Sequence, residues 1–343
     1  MINRLGVVFV ACFSCLVSCS EATIENTVSQ LRMTPYDLHI PNGFDPPTIP
    51  EDNALTEERV ALGKLLFHDK RFSSDGALSC SSCHQQAKGF ADNRAISPGT
   101  EGRLGFRNAP TLSNVAYRTS LLMEGGVPNL ELQVLAPLDD VNEFDKSLVV
   151  LAVELQQDEQ VNTMSQLAYG RDVDPFVITR ALAAFERTLI SGYSKYDEYL
   201  NGDHLMLTEA EQEGMKLFFS EETNCSTCHA GALFTDESFR NIGLYEQYED
   251  KGRERITADS LDNGKFKVPT LRNIELTAPY MHDGSVETLE EVVAHFTSGG
   301  LNHPVKDSLI QPLPLTEQDQ SNLVAFLKTL TDRKFVTNAA FAP

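Results

Sequence analysis

Cys80-Ser81-Ser82-Cys83-His84 and Cys225-Ser226-Thr227-Cys228-His229 decide how the rest of this chain is read. Each is a C-x-x-C pair followed at once by histidine. That is the attachment pattern of c-type haem: two thiols bond the porphyrin edge, and the next residue offers its imidazole to the iron. The spacing works only if a tight turn brings both sulfurs and the ring nitrogen to one face. Three other readings use the same cysteines. A four-cysteine zinc site would draw both pairs to one metal and leave the histidines unexplained. A thioredoxin-like pair calls for a βαβ context, which is missing. Disulfides within each pair would be strained between residues so close in sequence. Haem is the reading that uses all six residues.

The remaining cysteines belong to the N-terminus. The chain has 343 residues and seven cysteines, an odd number that excludes an all-disulfide framework. Arg4 and the short apolar run from Leu5 to Val17 form an export leader, too short for a spanning helix of about 20 residues. It ends Leu16-Val17-Ser18-Cys19, which resembles a bacterial lipoprotein cleavage box. Residues 1–18 then form the signal peptide and Cys19 the lipidated first residue of the mature chain. Residues 19–40 form a tether. Ordinary cleavage after Ser20 is the alternative. Ser20, where an Asp would retain the protein at the inner membrane, points to a lipid anchor in the outer membrane of a Gram-negative envelope, facing the periplasm. Cys12 and Cys15 leave with the leader, so every cysteine has a use.

Twenty-eight basic against 49 acidic residues give a net charge of −21. This argues against nucleic acid or an anionic membrane surface as partner. A charged fraction of 22% beside 41% apolar residues fits a folded protein. Tryptophan is absent.

Outward from the motifs, the chain repeats itself. Gly63-Lys64-Leu65-Leu66-Phe67 precedes the first motif, and Gly214-Met215-Lys216-Leu217-Phe218-Phe219 the second. Phe90-Ala91-Asp92 follows one and Phe234-Thr235-Asp236 the other. Then, at one constant offset, Pro110-Thr111-Leu112 and Asn114 match Pro269-Thr270-Leu271 and Asn273. Glu124-Gly125, Val127, Leu130-Glu131 and Val134 match Asp283-Gly284, Val286, Leu289-Glu290 and Val293. This is one haem unit written twice. Helix signals dominate: Asp174-Pro175 opens a helix whose face is Ile178, Ala181, Leu182, Phe185 and Leu189. Thr208 to Glu211 and Thr316 to Asp319 read as capping boxes, the second before Leu323, Phe326, Leu327 and Leu330. No sustained period-2 pattern appears. The expected architecture is all-α, with two cytochrome c-like domains at 41–202 and 203–343 meeting near Gly202.

The copies differ where chemistry would sit. Copy one has Gln133, Pro137 and Glu143; the same offset puts Val292, Phe296 and Asn302 in copy two. Cleaving a peroxide calls for a distal acid–base group with a polar neighbour that steadies the developing charge. Only copy one has a carboxylate and an amide there, so catalysis is expected at the N-terminal haem and electron transfer at the C-terminal one. On spacing alone, Glu143 could equally be a solvated residue beside Asp139, Asp140 and Asp145.

From about Asn53 to Thr331 the chain resembles the bacterial di-haem cytochrome c peroxidase superfamily, which includes MauG. The resemblance rests on residues 62–73 (LGKLLFHDKRFS), both haem motifs, 105–114 (GFRNAPTLSN), 124–138 (EGGVPNLELQVLAPL), 266–273 (FKVPTLRN), 277–293 (TAPYMHDGSVETLEEVV) and 323–332 (LVAFLKTLTD). It implies that Glu143 is the catalytic glutamate, Gln133 the distal glutamine and Pro137 a pocket proline. It also implies one calcium ion, with Asn108 as side-chain ligand and the carbonyls of Thr277 and Pro279 as backbone ligands. Hard oxygen donors suit that ion.

Three departures from the family pattern matter. Where many of these peroxidases block the resting N-terminal iron with a histidine, this chain has Thr100, which implies a first haem open without reductive activation. Where the second haem takes methionine or tyrosine as sixth ligand, this chain has Phe296, which cannot bind iron. His295, Met281 or an open position are the alternatives. Where relatives place a tryptophan between the haems, this chain has Met123, which is harder to oxidise and weakens a MauG-like reading. The remaining histidines are expected to be solvated (His39, His204, His303) or to make structural hydrogen bonds near the haems (His68, His282). Residues 245–254 read as a solvated charged loop.

The expected function is reduction of hydrogen peroxide to water by a cytochrome-c peroxidase. Its two c-type haems, bound through Cys80, Cys83, His84, Cys225, Cys228 and His229, receive electrons from a small periplasmic donor such as cytochrome c or a cupredoxin. The alternatives are a MauG-like oxidase of a partner protein's side chain and a non-enzymatic electron carrier or redox sensor. The resemblance also allows a homodimer, although no residue pattern calls for one.

Overall fold

The computed structural model describes residues 33–343. The leader, Cys19 and the tether as far as residue 32 lie outside the described residues. The described part is mostly helical. Its longer helices are α1 (Glu57–Phe67), α2 (Leu148–Gln156), α3 (Glu159–Tyr169), α4 (Pro175–Glu186), α5 (Glu209–Phe218), α6 (Leu289–Ser298) and α7 (Glu317–Lys328). One strand pair accompanies them: β1 (Phe239–Arg240) runs antiparallel to β2 (Phe266–Lys267), in register Phe239 with Lys267. This pair is too short to show as a period-2 pattern.

The helices begin where their capping residues stand. Asp174 accepts from Val177 N at the start of α4, with Pro175 in the first turn. Thr208, Thr288 and Thr316 each close a reciprocal capping box, at α5, α6 and α7. Each box satisfies two amides that helix geometry leaves unpaired.

Two apolar clusters follow the duplication. The first gathers Leu62, Leu66 and Phe67 of α1 with Ile178, Ala181, Leu182 and Phe185 of α4. The second gathers Phe218 of α5 with Leu323, Phe326 and Leu327 of α7. The α1–α4 and α5–α7 crossings are built alike, on a glycine. A Cβ on Gly63 would lie 1.9 Å from the Ala181 carbonyl oxygen, and one on Gly214 would lie 1.9 Å from the Asn322 carbonyl oxygen. Only a missing side chain lets each helix pair approach so closely.

The repeat extends to the backbone of the loops. Asn114 and Asn273 both have positive φ, 59° and 62°, as do Leu122 and Met281, 64° and 72°. Leu121 bridges Val127 as Tyr280 bridges Val286. The chain also crosses between clusters. Phe335, Val336 and Phe341, from the C-terminal end, pack into the first one, and Tyr196 packs into the second.

Candidate active site

Each haem motif is a single helical turn, Cys80–Cys83 and Cys225–Cys228, ending on its histidine. His84 N donates to Cys80 O at 2.9 Å, and His229 N to Cys225 O at 3.0 Å. Positions i, i+3 and i+4 share one helix face, so both cysteines and the histidine emerge together. The imidazoles are set identically. His84 Nδ1 lies 3.0 Å from Phe90 O, and His229 Nδ1 lies 3.0 Å from Phe234 O. A carbonyl only accepts, so Nδ1 carries the proton and Nε2 keeps a free lone pair. Burial lowers the pKa of both rings, which favours the neutral form a ligand needs.

The cysteines fit the same group. All four are free and half-buried. Burial raises each thiol, Cys83 to about 11. Among the described residues no three of His, Cys, Asp and Glu converge as metal ligands. The two pairs are therefore not brought to one metal as a zinc site requires, and neither forms a disulfide. Neutral, half-buried thiols on one helix face with a pre-set imidazole are what thioether attachment of a haem asks for.

Gln133 closes the turn Leu130–Gln133, and Pro137 lies in the next turn, Leu135–Asp139. Asn129 caps the first turn by accepting from Leu132 N at 3.1 Å. Glu131 anchors it through a buried pair with Arg187, at 2.6 and 2.9 Å, and a bond from Asn53 at 2.9 Å. No local sequence signal singles out this anchor; Glu290, at the matching offset in copy two, meets only Lys328, on an exposed edge. The chain then folds back. Phe144 N donates to Pro137 O at 3.1 Å, which sets the Glu143 turn beside Pro137. Gln133 and Glu143 thus belong to one folded segment, and no hydrogen bond joins their side chains.

Glu143 is exposed at its turn. The protein around its carboxyl, with a smaller contribution from the Asp140 charge, nevertheless raises its pKa to about 7. A second carboxyl is deeper. Glu186 is 7% exposed, and no hydrogen bond reaches its side chain. Burial raises its pKa to about 8, with Glu131 adding and Arg187 opposing. It is the charged neighbour felt most by Cys80. An open recess beside these turns is lined by Val127, Leu132, Leu135, Ala136, Asp139 and Asp140; Gln133 and Glu143 are not among its lining residues.

The residues expected to bind calcium lie on segments that are hydrogen-bonded to one another. Asn108 N donates to His282 O at 2.8 Å, and Asn108 Nδ2 donates to Arg94 O at 2.6 Å, leaving Oδ1 as its remaining donor toward a cation. Asn93 Nδ2 bonds Leu276 O at 2.8 Å and Ala278 O at 2.7 Å. The alternate carbonyls, those of Thr277 and Pro279, accept no hydrogen bond in the described structure. One side-chain oxygen and two unengaged carbonyls on neighbouring segments suit a hard cation.

On the C-terminal side several expectations need correction. His295 Nε2 lies 3.1 Å from Ile242 O, so that nitrogen serves a carbonyl. His282 makes no side-chain hydrogen bond; it stacks on Phe266 with centroids 4.0 Å apart. His303 is not simply solvated, because Asn241 Nδ2 reaches its Nδ1 at 3.1 Å. Nor is the loop at 245–254 free in solvent. Tyr245 donates to Asp283 at 2.5 Å, and Asp250 holds Arg107 at 2.6 Å. Charge pattern alone hid these pairings because their partners are distant in sequence. His68 does bond, to Phe341 O at 3.3 Å. Met123 stands where the copies meet, its carbonyl accepting from Lys267 N at 2.7 Å.

Comparison with known proteins agrees with this geometry. The family model for di-haem cytochrome c peroxidase matches residues 57–205. A methylamine utilization protein MauG from Methylophilus methylotrophus is 32% identical over 86% of this chain and 88% of its own length. A cytochrome-c peroxidase, IdrP1, from Denitromonas iodatirespirans is 36% identical over 85% of this chain and 86% of its own. Among solved structures, a MauG-like protein associated with microbial copper homeostasis superposes with a TM-score of 0.85 at 36% identity, covering 90% of this chain and 99% of that one.

Proposed function

The chain belongs to the di-haem cytochrome c peroxidase family, and from that premise we propose that it reduces hydrogen peroxide to water at its N-terminal haem unit. The observation that carries this reading is the raised pKa of Glu143, about 7, in the one copy that has a carboxylate there. Such a group exchanges protons at neutral pH. In its ionised form Glu143 takes the proton of the bound peroxide and returns it to the departing oxygen. Gln133 offers an amide N–H to the charge that develops. Cys80 and Cys83 would hold a haem covalently and His84 Nε2 would bind its iron, with Phe90 O keeping that ring oriented. When bound, the haem would supply the electrons that break the O–O bond. Cys225, Cys228 and His229 would hold a second haem in the same way, the entry point this reading gives to electrons from the donor. With a net charge of −21, the surface suits a basic donor such as a small cytochrome or cupredoxin.

Asn108, Thr277 and Pro279 are assigned to one calcium ion. Residues 1–18 and Cys19 are assigned to export and a lipid anchor facing the periplasm. Among the described residues no helix is long and apolar enough to cross a membrane.

The test is steady-state consumption of peroxide with reduced cytochrome c. Glu143→Gln should lower turnover by about 10²–10⁴-fold with both haems still attached. Wild-type turnover in that variant contradicts the assignment. A second reading, oxidation of a partner protein as in MauG, draws on Thr100, which leaves no histidine over the first haem, and on the similarity to MauG-named relatives. Met123 at the junction and the absence of tryptophan weigh against it.

A further inference from the structure

We propose that the hairpin at residues 98–104 is a clamp on the catalytic turn, with Thr100 and Arg103 as the positioning residues that hold Glu143. This rests on the reading of Glu143 as the acid–base group. The hairpin is closed by the Pro98–Leu104 bridge and by Gly99 N donating to Arg103 O at 2.7 Å. It lies along residues 142–145 and grips them at three points. Thr100 N donates to Glu143 O at 2.7 Å. Thr100 Oγ1 donates to Phe144 O at 3.0 Å. Arg103 pairs with Asp145 at 2.7 Å and steadies the hairpin through a bond to Thr100 O at 3.1 Å. Between them Gly99 passes so close that a Cβ there would lie 1.9 Å from Asn142 O. Thr100 itself is 1% exposed.

The clamp is also referenced to the first haem motif. Glu101 N donates to Asp75 Oδ2 at 3.0 Å, and Asp75 Oδ1 is held by Ser73 Oγ and Ala77 N at 2.8 and 2.9 Å. Ser74 N shares the Phe144 carbonyl at 2.9 Å. The segment that leads into Cys80 and His84 is therefore tied both to the hairpin and to the turn that carries Glu143. Acid–base catalysis needs the carboxyl fixed relative to the iron site, and small misplacements are costly. Thr100 thus builds the active arrangement in the resting protein.

The experiment is stopped-flow reaction of the oxidised holoprotein with hydrogen peroxide across pH, in wild type, Thr100→Val, Thr100→Ser and Glu143→Gln. Valine keeps the shape and removes the hydroxyl, and Phe144 O keeps Ser74 N as partner, so no carbonyl is orphaned. In wild type the bimolecular rate should rise with pH through a midpoint of about 7, as Glu143 ionises. Thr100→Val should lower the rate by about tenfold or more and move the midpoint down as the loosened turn admits water. The Soret spectrum and melting temperature should stay as in wild type, and Thr100→Ser should restore both rate and midpoint. The proposal is overturned if Thr100→Val keeps the wild-type rate and midpoint, or if serine fails to rescue. A wild-type rate in Glu143→Gln instead removes the acid–base reading itself, and the clamp with it.

Discussion

Glu143 and Glu186 are two carboxyls of the first copy whose behaviour is set by surroundings the sequence does not display. Glu143 could be named by comparing the copies and by family resemblance, because copy two carries Asn302 at its offset. Its raised pKa could not, since that depends on the folded mass around it and on Asp140. Glu186 carried no signal: it looks like the polar end of a helix, yet it is buried beside the first haem motif without a partner. Its folded pKa of about 8 lies well above that of an unfolded glutamate. The folded state therefore holds a proton that the unfolded chain releases. Stability from this group is complete below the unfolded value, about 4.3, and is lost as pH rises through about 8. The melting temperature of the wild type should fall between pH 5 and 8.5. In Glu186→Gln, which stays neutral, the fall should be shallower and the protein more stable at the alkaline end. Equal slopes in thermal scans would contradict this.

Helix starts were legible because they are written in short local codes. Asp174-Pro175, Thr208 to Glu211 and Thr316 to Asp319 each specify a cap without help from the rest of the fold. The crossings were not legible, because what Gly63 and Gly214 meet lies more than a hundred residues further on. The repeat of G-x-x-L-F segments marked these glycines as duplicated without saying why. By helix propensity alone, alanine at either position would stabilise by about 1 kcal/mol. Packing predicts the opposite: Gly63→Ala and Gly214→Ala should each destabilise by about 1–3 kcal/mol or more, measured by chemical denaturation, because the new methyl meets a helix carbonyl. A neutral or stabilising result in either variant would mean the helices separate at little cost. Both variants failing alike would bear on the equivalence of the two copies.

At the scale of the molecule, one haem-attachment unit written twice keeps its frame and differs in the residues to which the proposed function assigns the chemistry. The shared frame appears in the paired imidazole–carbonyl bonds, the paired positive-φ asparagines and the paired glycine crossings. The divergence lies in Glu143 against Asn302 and in Gln133 against Val292. Chain order made the duplication readable, but not how the copies are sewn together. Phe335 and Phe341 follow the last apolar helix in sequence and pack into the first cluster. Asn93 and Asn108 of copy one grip the 276–282 segment of copy two. If that junction binds calcium, Asn108→Ala should lower calcium affinity by about tenfold or more in a direct titration of the chelated holoprotein. Undiminished affinity would place the ion elsewhere.

Above all, the proposed function requires the two haem units to be unlike, the first open for peroxide and the second reserved for electron transfer. Low-temperature EPR of the oxidised protein probes this difference at the metal itself, because coordination number sets the iron spin state. A high-spin signal is expected from the His84 haem, where Thr100 is buried and bonded to Glu143 O and Phe144 O and can offer the iron no ligand. Two low-spin, six-coordinate haems and no high-spin signal would show instead that the first unit is closed.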